Sequence, residues 1–321
     1  MWSCLLGLTL AAAPLPAAPS GLDGRPFGEA AQDCEAHYPL TRKNGALVDK
    51  LRRGIREAGY GSWLRSGRLS VAVVDLTAKD RIHYAGINDD LMLYSASLPK
   101  IVSLLGVAQA AKENKIKWNA RVEERLSSMI NQSSNVDASW AFDLVGPQYL
   151  EEVVRRPGYC FYGDEHGGLW LGRRYGPGGE QNRDPLHNMS HGATSRQTAR
   201  FYTMLAKGLL VGPVGNKRIL SAMNAPKVHH KFVKALEHKE GVTILARKSG
   251  TWRTFHSDSA LVQHGNTKYV VVALSDHRKG AQAMVDIAEL VDEIMVEGAH
   301  RAPVVAMNRG QGKSRSSRAV R

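Results

Sequence analysis

Ser97-Leu98-Pro99-Lys100 sets a serine and a lysine three residues apart inside the run Tyr94 to Val107. Residues at that spacing share a helix face, so the Lys100 amine can fold back towards the Ser97 hydroxyl. The pair has the chemistry of a nucleophile carrying its own base. Pro99 lacks an amide hydrogen and is best tolerated in a helix's first turn, which predicts that Ser97 stands at a helix N-terminus. There the free backbone amides and the positive end of the helix dipole favour an alkoxide or a nearby oxyanion. A four-residue pattern also arises by chance in a chain of this length, so its weight rests on what accompanies it.

Two further segments accompany it. Met129-Ile-Asn-Gln-Ser133-Ser-Asn135 places a Ser-x-Asn where one helical stretch stops and another begins. Ile244-Leu-Ala-Arg-Lys248-Ser249-Gly250-Thr251 reads as a hydrophobic strand running into Lys-Ser-Gly-Thr. In this order the three resemble the signature of the penicillin-recognising serine enzymes, the superfamily of class A β-lactamases and D,D-peptidases: Ser-x-x-Lys, Ser-Asp-Asn and Lys-Thr-Gly. The resemblance spans roughly residues 45–298 and is closest to class A. It implies an acyl-enzyme on Ser97, which divides a hard amide cleavage into two easier steps. It also implies that Lys100 is the base, that Asn135 hydrogen-bonds this lysine and the substrate's amide, and that Ser133 shuttles the proton to the leaving nitrogen. Lys248 would bias that relay, while the Ser249 and Thr251 hydroxyls would meet a substrate carboxylate. Gly250, lacking a side chain, would let substrate backbone lie along the strand edge. The oxyanion hole would be the backbone N–H groups of Ser97 and Thr251. Lys100 serves only when neutral, and moving its pKa from about 10.4 to near 7.5 costs roughly 4 kcal/mol. Burial among Ile101, Leu104 and Leu105, with Lys248 as a like charge, pushes that way.

Deacylation departs from the family pattern. Class A enzymes activate the hydrolytic water with a loop glutamate in a Glu-x-x-Leu-Asn pattern, which this chain lacks. The corresponding region, rich in Gly and Arg, offers Asp184, with acid-to-Asn spacing to Asn188, and Glu165 and Glu180 with the expected residue type. A site with no loop base is the remaining alternative. The interval from Lys100 to Ser133 is also short for class A, which implies a more open groove.

The elements that must position these residues are legible as patterns. Leu69 to Leu76 and Arg81 to Gly86 read as a hairpin before the nucleophile, and Ala260 to His264 and Tyr269 to Leu274 as a second one after Lys248. Ala46 to Ala58 and Ala281 to Val296 have amphipathic helical spacing and would cover one sheet face. The expected fold is α+β, an antiparallel sheet flanked by helices plus a mostly helical lobe. Its sheet lobe comprises 45–96 and 241–298, and its helical lobe 97–240.

With 321 residues, 43% of them hydrophobic, the chain can fill two packed lobes, and it shows no repeats. Its net charge of +13 falls to +7 without the last 21 residues, which carry six Lys and Arg and no acid. The basic segment 299–321 has no apolar periodicity after Met307 and is expected to be a disordered tail, solvated or in non-specific contact with anionic polymers, with no specific nucleic-acid partner. Leu5 to Pro19 is apolar and too short to span a bilayer, and Pro16-Ala-Ala18 near its end offers a small-residue cleavage site. Residues 1–20 therefore read as a signal peptide, though no Lys or Arg precedes Arg25, and the expected location is periplasmic or secreted. No other segment is long enough to span a membrane. In an oxidising compartment Cys34 and Cys160 could form one disulfide; two unpaired small apolar residues are the alternative. His187 and His191 are four apart, with His166 a possible neighbour, but without a Cys or carboxylate partner at ligand spacing they do not mark a metal site, and no phosphate loop or dinucleotide fingerprint occurs. No cofactor is implied. The expected partner is a small β-lactam or a cell-wall peptide, the expected state a monomer, and the leading activity β-lactam hydrolysis. A D,D-peptidase or other amide or ester hydrolase, and a non-catalytic binder on the same fold, are the alternatives.

Overall fold

The computed structural model describes Leu40 and residues 42–300. The expected leader, Cys4, Cys34 and the basic segment from residue 301 lie outside the described residues; Ala299 and His300, expected in the tail, are helical. Along the chain come α1 (Gly45–Glu57), α2 (Gly61–Arg65), β1 (Leu69–Asp75), β2 (His83–Ile87), β3 (Leu93–Tyr94), α3 (Lys100–Lys112), α4 (Ala120–Asn131), α5 (Asn135–Val145) and α6 (Pro147–Arg155). Then follow β4 (Tyr162–Gly163), β5 (Gly167–Gly168), β6 (Trp170–Leu171), β7 (His191–Ala193), α7 (Ser195–Ala206), α8 (Gly212–Met223) and α9 (Phe232–Leu236). The chain closes with β8 (Val242–Trp252), β9 (Phe255–His264), β10 (Thr267–Asp276) and α10 (Gly280–His300).

Five strands form an antiparallel sheet in the order β2-β1-β10-β9-β8. Both hairpins read from the sequence are present, and β1 joins them by pairing with β10. Val71 and Val73 point to one face, where Leu51 and Ile55 of α1 and Met284, Ile287 and Val291 of α10 cover them. Ala72 and Val74 point to the other, into a core shared with α3 to α8. Because both faces are buried, β1 is apolar at nearly every position rather than alternating. Each such side chain fully withdrawn from water contributes about 1.5–3 kcal/mol.

α3 is the axis of the helical part, buried all round from Lys100 to Ala110. A helix without a polar face has to lie inside a core, so its N-terminus delivers Lys100 to the boundary between helices and sheet. α4 and α5 meet at Gln132 to Ser134, and the Ser134 hydroxyl caps α5 by accepting from Asp137 N. Two small sheets, β3-β7-β6 and β4-β5, line the same boundary. Their strands are two or three residues long, too short to leave a periodic signal.

Candidate active site

The helix expected to start at Ser97 starts at Lys100, with Pro99 as its cap. Ser97 stands one tight turn earlier: Leu98 N donates to Ser95 O (3.0 Å), Lys100 N to Ser97 O (3.3 Å) and Ile101 N to Leu98 O (3.2 Å). Ala96 enters this turn at φ 53°, the left-handed region that a side chain disfavours and that occurs at over-determined functional turns. Three contacts hold it there. Ser95 N donates to His191 O (3.0 Å), Ser257 Oγ donates to Ser95 O (2.9 Å), and the Tyr175 hydroxyl donates to Ala96 O (3.1 Å). The half-buried Ser97 hydroxyl has no hydrogen-bond partner among the described residues.

Lys100 is 0% exposed, and its Nζ donates to Ser133 O (2.6 Å), Asn135 Oδ1 (2.8 Å) and, more loosely, Ser133 Oγ (3.4 Å). The Tyr175 ring lies across the amine, 4.5 Å from Nζ to centroid. Burial pushes the Lys100 pKa down to about 7, with Asp137 the only charge opposing the shift. A cation in the first turn of α3 also faces the positive end of the helix dipole. Ser133, at φ 59°, turns its hydroxyl towards both lysines: Lys248 Nζ donates to Ser133 Oγ at 2.9 Å and to Ser249 O at 2.7 Å. Burial, then the Lys100 charge, then Arg247 hold the Lys248 pKa well below the usual lysine range. With Lys248 filling a lone pair of Ser133 Oγ, the hydroxyl proton is free to be given away.

The Lys-Ser-Gly-Thr segment lies within β8 rather than after it. Lys248 and Gly250 face the nucleophile turn, while Ser249 and Thr251 face α9. There His230 Nε2 meets Ser249 Oγ (3.1 Å), and Lys231 Nζ donates to Thr251 Oγ1 (2.8 Å). Gly250 has a packing reason beside the one expected. A Cβ built on it would stand 2.2 Å from Ser95 O and 2.7 Å from Ser97 N, so the missing side chain lets β8 close onto the turn that carries Ser97.

Lys231 escaped the sequence reading. It is 2% exposed, holds φ 53° just before α9, and donates also to Gly250 O (2.6 Å) and Ser257 O (3.1 Å). Burial pushes its pKa down to about 8. Its one local signal is the apolar pair Phe232-Val233 that follows it, which does not distinguish it from Lys227 or Lys234. Tyr175 and Ser257 were equally unmarked. Arg247, in β8, is paired with Asp258 of β9 through contacts at 2.9 and 2.8 Å.

None of the three loop acids joins this cluster. Asp184 is buried inside its own loop, where one oxygen accepts from the Tyr162 hydroxyl and Leu186 N and the other from His187 N and Met189 N. Both oxygens are thus committed to loop structure. Glu180 is exposed and accepts from Gln148 Nε2, and Glu165 is 86% exposed beside His166. Next to Lys100 the loop contributes Tyr175, whose ring packs against His191 at a tilt (4.4 Å between centroids). Burial pushes the His191 pKa down to about 4, so the ring is neutral at pH 7. No group of three His, Cys, Asp or Glu able to hold a metal occurs among the described residues. Cys160 is disulfide-bonded; the other two cysteines, Cys4 and Cys34, lie outside the described residues. No described helix is long and apolar enough to cross a membrane.

Known proteins share this fold. The pattern of the Beta-lactamase enzyme family matches residues 119–295. Among solved structures, the β-lactamase from Sphaerobacter thermophilus DSM 20745 superposes with a TM-score of 0.60 at 16% identity, covering 76% of this chain and 97% of that one. PBP-A gives 0.59 at 16% identity, covering 80% and 98%, and an ancestral (GNCA) class A β-lactamase gives 0.59 at 19%, covering 77% and 99%. At such identities these likenesses establish the fold. No curated protein is matched by the sequence.

Proposed function

The chain belongs to the Beta-lactamase enzyme family and is a serine hydrolase of the β-lactamase and penicillin-binding type, and we propose that β-lactams acylate Ser97 and are slowly hydrolysed. The observation that carries this reading is the Ser133 hydroxyl bridging two buried lysines, Lys248 at 2.9 Å and Lys100 at 3.4 Å. Near pH 7 about half of Lys100 is neutral and able to take the Ser97 proton as the hydroxyl attacks the carbonyl carbon. The oxyanion forms against the N–H groups of Ser97 and Thr251. As the tetrahedral adduct collapses, Ser133 gives its proton to the leaving nitrogen and recovers one from the lysine pair. Asn135 keeps Lys100 oriented through both steps.

Slow turnover follows from the loop. Among the described residues the carboxylate acting on Lys100 is Asp137, which belongs to α5, where it is held by Arg125. Without a loop acid at the site, the water that cleaves the ester depends on the lysine pair, Lys100 foremost, as its base. The same observation favours a second reading, a D,D-peptidase acting on cell-wall peptides that penicillins inactivate. The disulfide at Cys160 supports export to the periplasm or beyond, since such bonds persist in oxidising compartments.

Intact-protein mass spectrometry over time with a penicillin, alongside Ser97→Ala, tests this. An adduct that forms and decays over minutes in the wild type and never forms in the variant is the expected result. An adduct that persists favours the peptidase, and turnover by Ser97→Ala at the wild-type rate overturns the assignment.

A further inference from the structure

Lys231 has no place in the chemistry above, yet it is a buried cation with three acceptors, two of them backbone carbonyls of the strands that flank the nucleophile turn. One of those carbonyls belongs to Gly250. The Gly250 C=O and the Thr251 N–H are the two ends of a single planar peptide group. The β8–β9 hairpin closes on Trp252 opposite Phe255 across Arg253-Thr254, so the next pair, Thr251 opposite His256, is one that does not exchange ladder hydrogen bonds. β8 is an outer strand, which leaves the Thr251 N–H on the free edge, while the Gly250 C=O turns inwards. A Cβ on Gly250 would stand 2.7 Å from Ser97 N, so this stretch of β8 lies against the nucleophile turn.

We propose that Lys231 is a positioning residue that strengthens the oxyanion donor from behind: its ammonium, bonded to Gly250 O, polarises the Gly250–Thr251 peptide and makes the Thr251 N–H a stronger donor to the reacting carbonyl. The inference rests on the proposed acylation of Ser97. A charge-assisted bond of 2.6 Å to one end of an amide raises the donor strength of the other end, and hydrogen bonds in series reinforce each other where water is absent. Ser257 Oγ donates to Ser95 O (2.9 Å) and stands 3.4 Å from Gly250 O, which ties the polarised peptide to the nucleophile turn. The charges facing Lys231 are Asp258 and His256 from β9, Arg247 and Lys248 from β8, and the adjacent His230. Asp258 favours its protonated form, Arg247 opposes it, and burial outweighs both. The amplifying charge is therefore lost as pH rises through about 8.

The test is isotope-edited infrared spectroscopy of the acyl-enzyme made with a penicillin labelled at the β-lactam carbonyl, with acylation rates from stopped flow, for wild type, Lys231→Met and Lys231→Arg. The wild-type ester band at pH 7 is expected at low frequency. Lys231→Met should raise that frequency and slow acylation about tenfold, a fraction of the 10²–10³ lost when an oxyanion donor is removed. Lys231→Arg should restore most of both. Wild type moved from pH 7 to pH 9 should show the same upward band shift, an observation that needs no variant to fold. A band that stays in place across that pH range, or that is equal in wild type and Lys231→Met, overturns the inference and leaves acylation of Ser97 standing. Failure of the wild type to form any acyl-enzyme overturns the reading of the site, and the inference falls with it.

Discussion

Replacing Gly250 by alanine probes the closure of β8 onto the nucleophile turn. The added methyl would stand 2.2 Å from Ser95 O, against about 3.4 Å for ordinary contact, so the two backbones must part by about 1 Å. Neither side yields easily: Ser95 is held by His191 O and Ser257 Oγ, and Gly250 by the β9 ladder and Lys231. Overpacking of this kind costs typically 1–3 kcal/mol, and at about 2–4 °C per kcal/mol in a protein of this size the expected fall in Tm is about 5 °C. The catalytic loss should be larger than the stability loss. Ser97 N is one of the two proposed oxyanion donors, and a misplacement of about 1 Å costs roughly 10²-fold in rate. Stopped-flow acylation by a chromogenic cephalosporin, measured well below the variant's Tm, separates the two effects. Acylation within threefold of wild type would refute the reasoning, because it would mean that Ser97 N can move by that distance without consequence.

Four further outcomes are expected. Acylation should fall as pH drops below about 7, where Lys100 becomes charged. Over the same titration, wild type should gain stability relative to Lys100→Met from pH 7 towards 10. The folded lysine has lost its proton in that window and the unfolded one, near 10.5, keeps it, so unfolding takes up a proton and becomes harder as pH rises; denaturant melts of both proteins across pH check the sign. Ser133→Ala should slow acylation by about 10²–10⁴ while leaving non-covalent inhibitor binding within a few-fold, as read by stopped flow and calorimetry. Asp184→Asn should lower stability by about 1–3 kcal/mol through its buried loop contacts and leave the acyl-enzyme lifetime unchanged, so a lifetime lengthened a hundredfold would return Asp184 to the role of base.

Part of this site was legible because its members sit in local patterns. Lys100 lies three residues from Ser97, Asn135 two from Ser133, and Lys248 in a strand that can be recognised by its apolar run. The sheet was legible for a related reason: burial on both faces leaves the apolar runs Val71–Val74 and Tyr269–Leu274 at the centres of β1 and β10. Lys231 and Tyr175 were not legible, because their importance comes from contacts with residues 20 and 79 positions away, Thr251 and Ala96, and no local period encodes that. Gly250 shows a different limit. A glycine in a sequence announces an empty space, and only the fold tells that Ser95 and Ser97 fill it. Asp184 was attractive as an acid at a suggestive spacing, but an acid's role depends on what its oxygens already accept, and here four donors have claimed them.

The ladder between β1 and β10 sets Leu69 opposite Ser275 and Asp75 opposite Tyr269, so it ties together two distant stretches of the chain. Ser97 and Ser133 lie on the long excursion between them. A single backbone cut in the exposed stretch Gly176–Gly179 would leave two fragments, one with β1, β2, Ser97, Lys100 and Ser133, the other with Lys231, Lys248 and the remaining three strands. Neither fragment owns a complete sheet, and neither holds both lysines that meet at Ser133 Oγ. The molecule is thus divided by its own topology into complementary halves, and ester or amide cleavage recovered on mixing them would report that the ladder had reassembled without a covalent link.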